Sequence, residues 1–172
     1  PPYLLHMTKI YGNDLALKGK PWRSFRPGDT DNGIEEWWRN LLAGVAGVRF
    51  HRPTGGIGLY PEAKNCIRAT RKVETRVKFW DVEPRLDLLT DRQSDEAYLA
   101  ADPGKAYILY FTRNGGGSVG LKLDSFPDTK FELRWVNVDT GDWGQTIAIS
   151  GGSTVTIDRP NGSSHWVATI VR

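Results

Sequence analysis

Arg49, His51 and Arg52 crowd two guanidinium groups and an imidazole into four residues at the end of a short run, Val48-Arg49-Phe50-His51. A guanidinium stays charged and donates in a planar fork that matches a carboxylate. An imidazole donates or accepts near neutral pH. Placed where a strand ends, such a set suits a pocket for a sugar or an acid. Arg26 and Asp29, which follow the apolar stretch Trp22 to Phe25, would stand on the adjacent strand end. The same residues also read as the polar tail of a turn, because Pro53 and the glycines at 55 and 56 follow directly. Trp143 is a further candidate. It sits just after the turn Asp139-Thr140-Gly141-Asp142, where an exposed indole could stack on the apolar face of a pyranose ring and a buried one would pack the core.

The remaining chemistry is thinner. His6 and His165 lack the spacing of metal ligands, and a lone Cys66 excludes a cysteine-built zinc site and an internal disulfide. Asp139 and Asp142 supply hard oxygen ligands of the kind calcium takes. They also fit an ordinary hairpin with Gly141 free to adopt positive φ. Gly115-Gly116-Gly117 lacks the Lys and following Ser or Thr of a phosphate loop and reads as a hairpin tip. No metal and no cofactor is expected.

These groups need elements to hold them. Of 172 residues, 39% are hydrophobic and 25% charged, a composition of folded domains and not of disordered chains. No apolar run approaches the ~20 residues of a membrane helix, so no membrane partner is expected. The surplus of 23 basic over 20 acidic residues is small. Its densest part, Arg68, Arg71, Lys72, Arg76 and Lys78, shares one helix with Glu62 and Glu74. That reads as a solvated helix face, and no nucleic-acid partner is expected. The first residues, Pro1-Pro2-Tyr3-Leu4-Leu5-His6, read as the interior of a longer chain.

Two periodicities divide the chain into residues 1–83 and 84–172. Ile34, Trp37, Trp38, Leu41, Leu42 and Val45 form a 3.6-period stripe, with Asn32 and Glu35 spaced as a capping box. A strand is expected at Val48 to His51 and another at Trp22 to Phe25. Pro61 suits the first turn of a second helix, whose inner face would be Ala63, Cys66, Ile67, Thr70, Val73, Val77 and Trp80, with Glu74 and Lys78 spaced as a pair. After Pro84 the period becomes two. Arg85 to Leu89, Glu96 to Ala100, Ala106 to Phe111, Val119 to Leu123, Phe131 to Trp135, Ile147 to Ile149, Val155 to Ile157 and Trp166 to Ile170 give about eight short strands between glycine-rich turns. The expected class is α+β: a βαβα segment followed by an antiparallel β-sandwich.

Several stretches are familiar. Lys20-Pro21 before a short strand, Trp37-Trp38-Arg39 on a helix and the run Ala43 to Gly47 resemble the last two βα units of the apiosidase-like bacterial glycoside hydrolases. Glu96 to Ala100, Pro103 to Tyr107 and Trp135-Val136-Asn137-Val138-Asp139-Thr140-Gly141 resemble the sandwich that follows that barrel, often labelled a collagen-binding domain. The resemblance implies the end of a (β/α)8 barrel in residues 1–83, an accessory sandwich in 84–172, and a secreted or periplasmic parent protein. It also places a catalytic Glu where this chain has Arg26. Glycoside cleavage needs two carboxylates, about 5 Å apart in retaining enzymes and farther apart in inverting ones. An arginine accepts no proton.

The expected function is therefore a non-catalytic C-terminal accessory module with a polysaccharide or other glycan as partner, through Arg26, Asp29, Arg49, His51, Arg52 or Trp143. The alternatives are a protein-binding module, after the collagen label, and a part of an active glycosidase. Unpaired strand edges in residues 1–80 would also favour a homodimer.

Overall fold

A computed structural model describes residues 5–10, 30–52, 56–160 and 162–172. The expected strand at 22–25, with Arg26 and Asp29, lies outside them. The chain begins with β1 (His6–Ile10), α1 (Thr30–Leu42), β2 (Gly47–Phe50) and α2 (Pro61–Glu74). β1 and β2 pair in parallel, so α1 is the crossover between them. β1 was not foreseen, because His-Met-Thr-Lys-Ile carries no clean apolar alternation. α1 starts at Thr30, two residues before Asn32, and buries Ile34, Trp37, Trp38 and Leu42 as its stripe requires.

α2 departs further from expectation. It buries Ala63, Cys66, Ala69, Thr70 and Val73, yet it ends at Glu74. Ile67 is 42% exposed and Trp80, in a separate 3-10 turn, is 75% exposed. A helix broken after Glu74 cannot carry its stripe to residue 80, which is why Trp80 faces outward. Glu74 pairs with Arg71 at 2.6 Å, and Lys78 donates to the Glu74 carbonyl instead of its carboxylate.

Residues beyond 82 form two antiparallel sheets. The larger has the order β3 (Glu83–Pro84), β5 (Ala97–Asp102), β6 (Ala106–Phe111), β11 (Trp166–Val171), β8 (Lys130–Asn137), β9 (Asp142–Ser150). The smaller is β10 (Thr154–Asp158), β7 (Ser118–Lys122), β4 (Leu89–Thr90). The expected strand Arg85 to Leu89 is interrupted by a 3-10 turn at Leu86–Leu88, so only Leu89 enters the smaller sheet.

The larger sheet is covered on both faces. Toward the smaller sheet it turns Leu99, Leu109, Phe111, Leu133 and Trp135, which meet Val119, Leu121 and Ile157. Toward the helices it turns Ala100, Ile108, Tyr110, Val136 and Val167, which share one apolar cluster with Trp38, Cys66 and Val73. This two-sided burial explains why Ala106 to Phe111 is apolar at every position: β6 is a central strand. The class is α+β with a β-sandwich, and the helical layer packs on the sandwich's outer face.

Candidate functional site

The site begins where β2 ends. Trp37 on α1 stacks on Phe50 with centroids 4.5 Å apart and planes within 10°, fixing the last residue of the strand against the helix. Beyond it the chain folds back tightly. The amide of Gly58 donates to the His51 carbonyl at 2.8 Å and that of Gly56 to the Arg52 carbonyl at 2.9 Å. A Cβ at Gly58 would stand 2.5 Å from the His51 carbonyl oxygen, so the close return requires glycine. His51 Nδ1 lies 3.1 Å from the Arg52 carbonyl. A carbonyl only accepts, so in the neutral ring Nδ1 carries the proton and Nε2 is the acceptor.

This turn encloses a cavity of about 650 Å³, within the range of small-ligand sites. Among the described residues its polar lining is Lys9, Arg49, His51, Arg52 and Lys64, with no carboxylate. Val48, Leu59, Ala63 and Ile67 supply apolar wall. α2 starts at the rim with Pro61, and its first turn carries the acidic Glu62 as well as Lys64. Arg49, His51 and Arg52 thus converge as the sequence suggests. Lys9 and Lys64 were not anticipated. Lys64 had a signal: three residues past a helix-starting proline, it belongs to the first turn, at the end where the chain leaves the strand.

Trp143 lies elsewhere and is half-buried. The Arg134 guanidinium sits 4.1 Å from its ring centroid and Lys72 Nζ 5.9 Å, and the ring packs against the cluster beneath the helices. Its neighbourhood docks α2 on the β8–β9 hairpin: Asn65 donates to the Asp139 carbonyl at 2.6 Å and Lys72 pairs with Asp142 at 3.6 Å. Gly141 has φ +72°, as the hairpin reading requires. Tyr107 and Tyr110 are fully buried and offer no ring face to a ligand.

A second polar cluster, unforeseen, joins the helical layer to the sandwich. His165 is fully buried, with Nδ1 2.9 Å from the Tyr110 hydroxyl and Nε2 3.4 Å from Asp31. Arg113 bridges Asp31 at 3.2 Å and Asp139 at 3.0 Å, and the His165 amide donates to Asp139 at 3.3 Å. Burial holds the His165 ring below its ordinary range, against the opposing pull of Asp139 and Asp31. Cys66 and Tyr110 are pushed well above theirs by the same desolvation.

No family model matches this chain, and no curated protein does. Solved structures do. One, a glycoside hydrolase, aligns with TM-score 0.63 and 12% identity over 82% of this chain and 36% of its own. Another, a glycoside hydrolase family 5 protein from Bacteroides vulgatus ATCC 8482, aligns with TM-score 0.66 and 13% identity over 94% of this chain and 40% of its own. The fold is glycoside-hydrolase-like. The chain spans less than half the length of either structure. The basic cavity lies at the carboxyl end of the parallel strand β2.

Proposed function

We propose that this chain is the C-terminal part of a glycoside-hydrolase-like protein and that it holds a glycan, without cleaving it, in the cavity at the end of β2. The carrying observation is that cavity: among the described residues Arg49, His51 and Arg52 line it and no carboxylate does. The guanidinium groups of Arg49 and Arg52 stay charged and can bind and orient a saccharide, but cleavage needs an acid and a second carboxylate as nucleophile or base. The finer kinship, to the apiosidase-like enzymes, is supported by Trp37-Trp38-Arg39 and the run Ala43 to Gly47, which surround β2. In that reading residues 1–83 are the end of a barrel and 84–172 its accessory sandwich.

Trp143 does not serve as the sugar platform in this proposal, because Arg134 already lies over its ring. Affinity electrophoresis in gels containing polysaccharides tests the binding, and a panel of aryl glycosides tests catalysis. Retardation by at least one polysaccharide with no turnover is expected. Turnover of any glycoside would overturn the non-catalytic reading, and no retardation would overturn the binding reading.

Among the described residues β2 pairs only with β1, which leaves one strand edge open. Further strands of a parent barrel would fill it. A second copy of this chain fills it when the chain is alone, so a dimer through residues 1–80 is the expected mass by light scattering.

A further inference from the structure

We infer that the ligand of the β2 cavity is an acidic polysaccharide whose uronate carboxylates lie against Arg49 and Arg52, an inference that rests on the glycan-binding reading above. The grouping within the described residues carries it. Arg39, Arg71, Arg76, Arg85 and Arg113 each have a carboxylate within 4.0 Å, and Arg68, Arg92 and Arg159 donate to backbone carbonyls. Lys9, Arg49, Arg52 and Lys64 are exposed, line one concave surface, and have no ion-pair partner among the described residues. Like charges gathered around a cavity repel one another, and a concave wall focuses their field outward. An anionic ligand relieves this arrangement and a neutral one does not.

The wall chemistry selects among anions. A guanidinium fork matches a planar carboxylate in two parallel hydrogen bonds. Nucleic-acid sites pair basic groups with exposed aromatic rings for base stacking. Here the aromatic residues Trp37 and Phe50 are each only 7% exposed, and the exposed apolar groups are aliphatic, Leu59 at 75% and Ile67 at 42%. Aliphatic wall beside arginine suits the C–H face and the carboxylate of a uronic acid.

The test is calorimetric titration of the 172-residue chain with an oligogalacturonide, its fully methyl-esterified form, a neutral β-glucan oligosaccharide and a single-stranded oligonucleotide. The acidic sugar should bind at least tenfold more tightly than its methyl ester, and raising salt from 50 to 500 mM should remove most of that difference. R49Q/R52Q should bring the acid to the level of the ester. K64Q, on the rigid turn of α2, should give a smaller loss and serves if the double variant misfolds. Equal binding of acid and ester would overturn this inference while leaving glycan binding intact. Binding of no saccharide would overturn the glycan reading itself. Tighter binding of the oligonucleotide would overturn the inference in favour of a nucleic-acid site.

Discussion

Two groups of charged side chains in this molecule are arranged in opposite ways. Around His165, opposite charges are in contact: Arg113 bridges Asp31 and Asp139, joining α1 to the sandwich, and the imidazole beside them is fully buried. Around the end of β2, Lys9, Arg49, Arg52 and Lys64 share one cavity with no acid on its wall among the described residues. The matched cluster has its counter-charges within the fold, so it acts on stability. The cluster at β2 has no such counter-charge among the described residues, and an anionic ligand is the counter-charge proposed for it. Side chains with strong chemistry therefore divide here by their partners and not by their types.

Variants that separate stability from binding would break or sharpen this contrast. The largest effect is expected at the matched side. Trp38 is fully buried and stacks on Tyr110 with centroids 5.6 Å apart, so Trp38→Ala should cost about 3–5 kcal/mol. Urea unfolding followed by circular dichroism reads this. A loss below about 1 kcal/mol would mean that the helical layer does not share the sandwich's core. Arg113→Ala strips Asp31 and Asp139 of their shared donor. Both carboxylates are partly exposed, so water relieves part of the cost, and about 1–2 kcal/mol is expected by the same measurement.

His165 should give a pH dependence of definite sign. The folded state favours its neutral ring, while the unfolded chain takes up a proton near the ordinary value of about 6.5. Below that pH the unfolded state binds more protons, so stability falls as pH drops through the ordinary value toward the lower folded one. The groups facing the ring are Asp31 on α1, Tyr110 on β6, and Asp139 and Arg113 on the flanking loops. Unfolding free energy at pH 7.5 should therefore exceed that at pH 5.5, and His165→Asn should flatten the difference. An unchanged slope would assign it to other groups. At the unmatched side, Arg49→Gln and Arg52→Gln should leave stability within about 0.5 kcal/mol while weakening the ligand. Cys66 should resist thiol reagents until the chain unfolds, since burial disfavours its thiolate.

Much of this was legible in the sequence for a simple reason. Strands such as Phe131 to Trp135 carry their burial in a period of two, and α1 carries its own in a period of 3.6, so each can be read locally. The convergence of Arg49, His51 and Arg52 was legible too, because neighbours in sequence at a strand end stay neighbours in space. The His165 cluster was not. Asp31 is 134 residues away from His165, and nothing short of the fold brings them together. β1 was missed because its pairing is parallel with a distant strand and its composition is mixed. Trp143 was left open between an exposed and a packed ring because its local setting is a turn; in the fold Arg134 of β8 and Lys72 of α2 lie against it. Trp80 erred the other way: its helical phase pointed inward, but the helix stops before reaching it.

The most direct test of the central claim is a titration of the 15N-labelled chain with an oligogalacturonide, followed by amide chemical-shift changes. The account predicts that the shifts concentrate on residues 47–52 and 58–67, with Trp143 and Trp166 unmoved. Shifts centred on the sandwich, or none at saturating ligand, would contradict it.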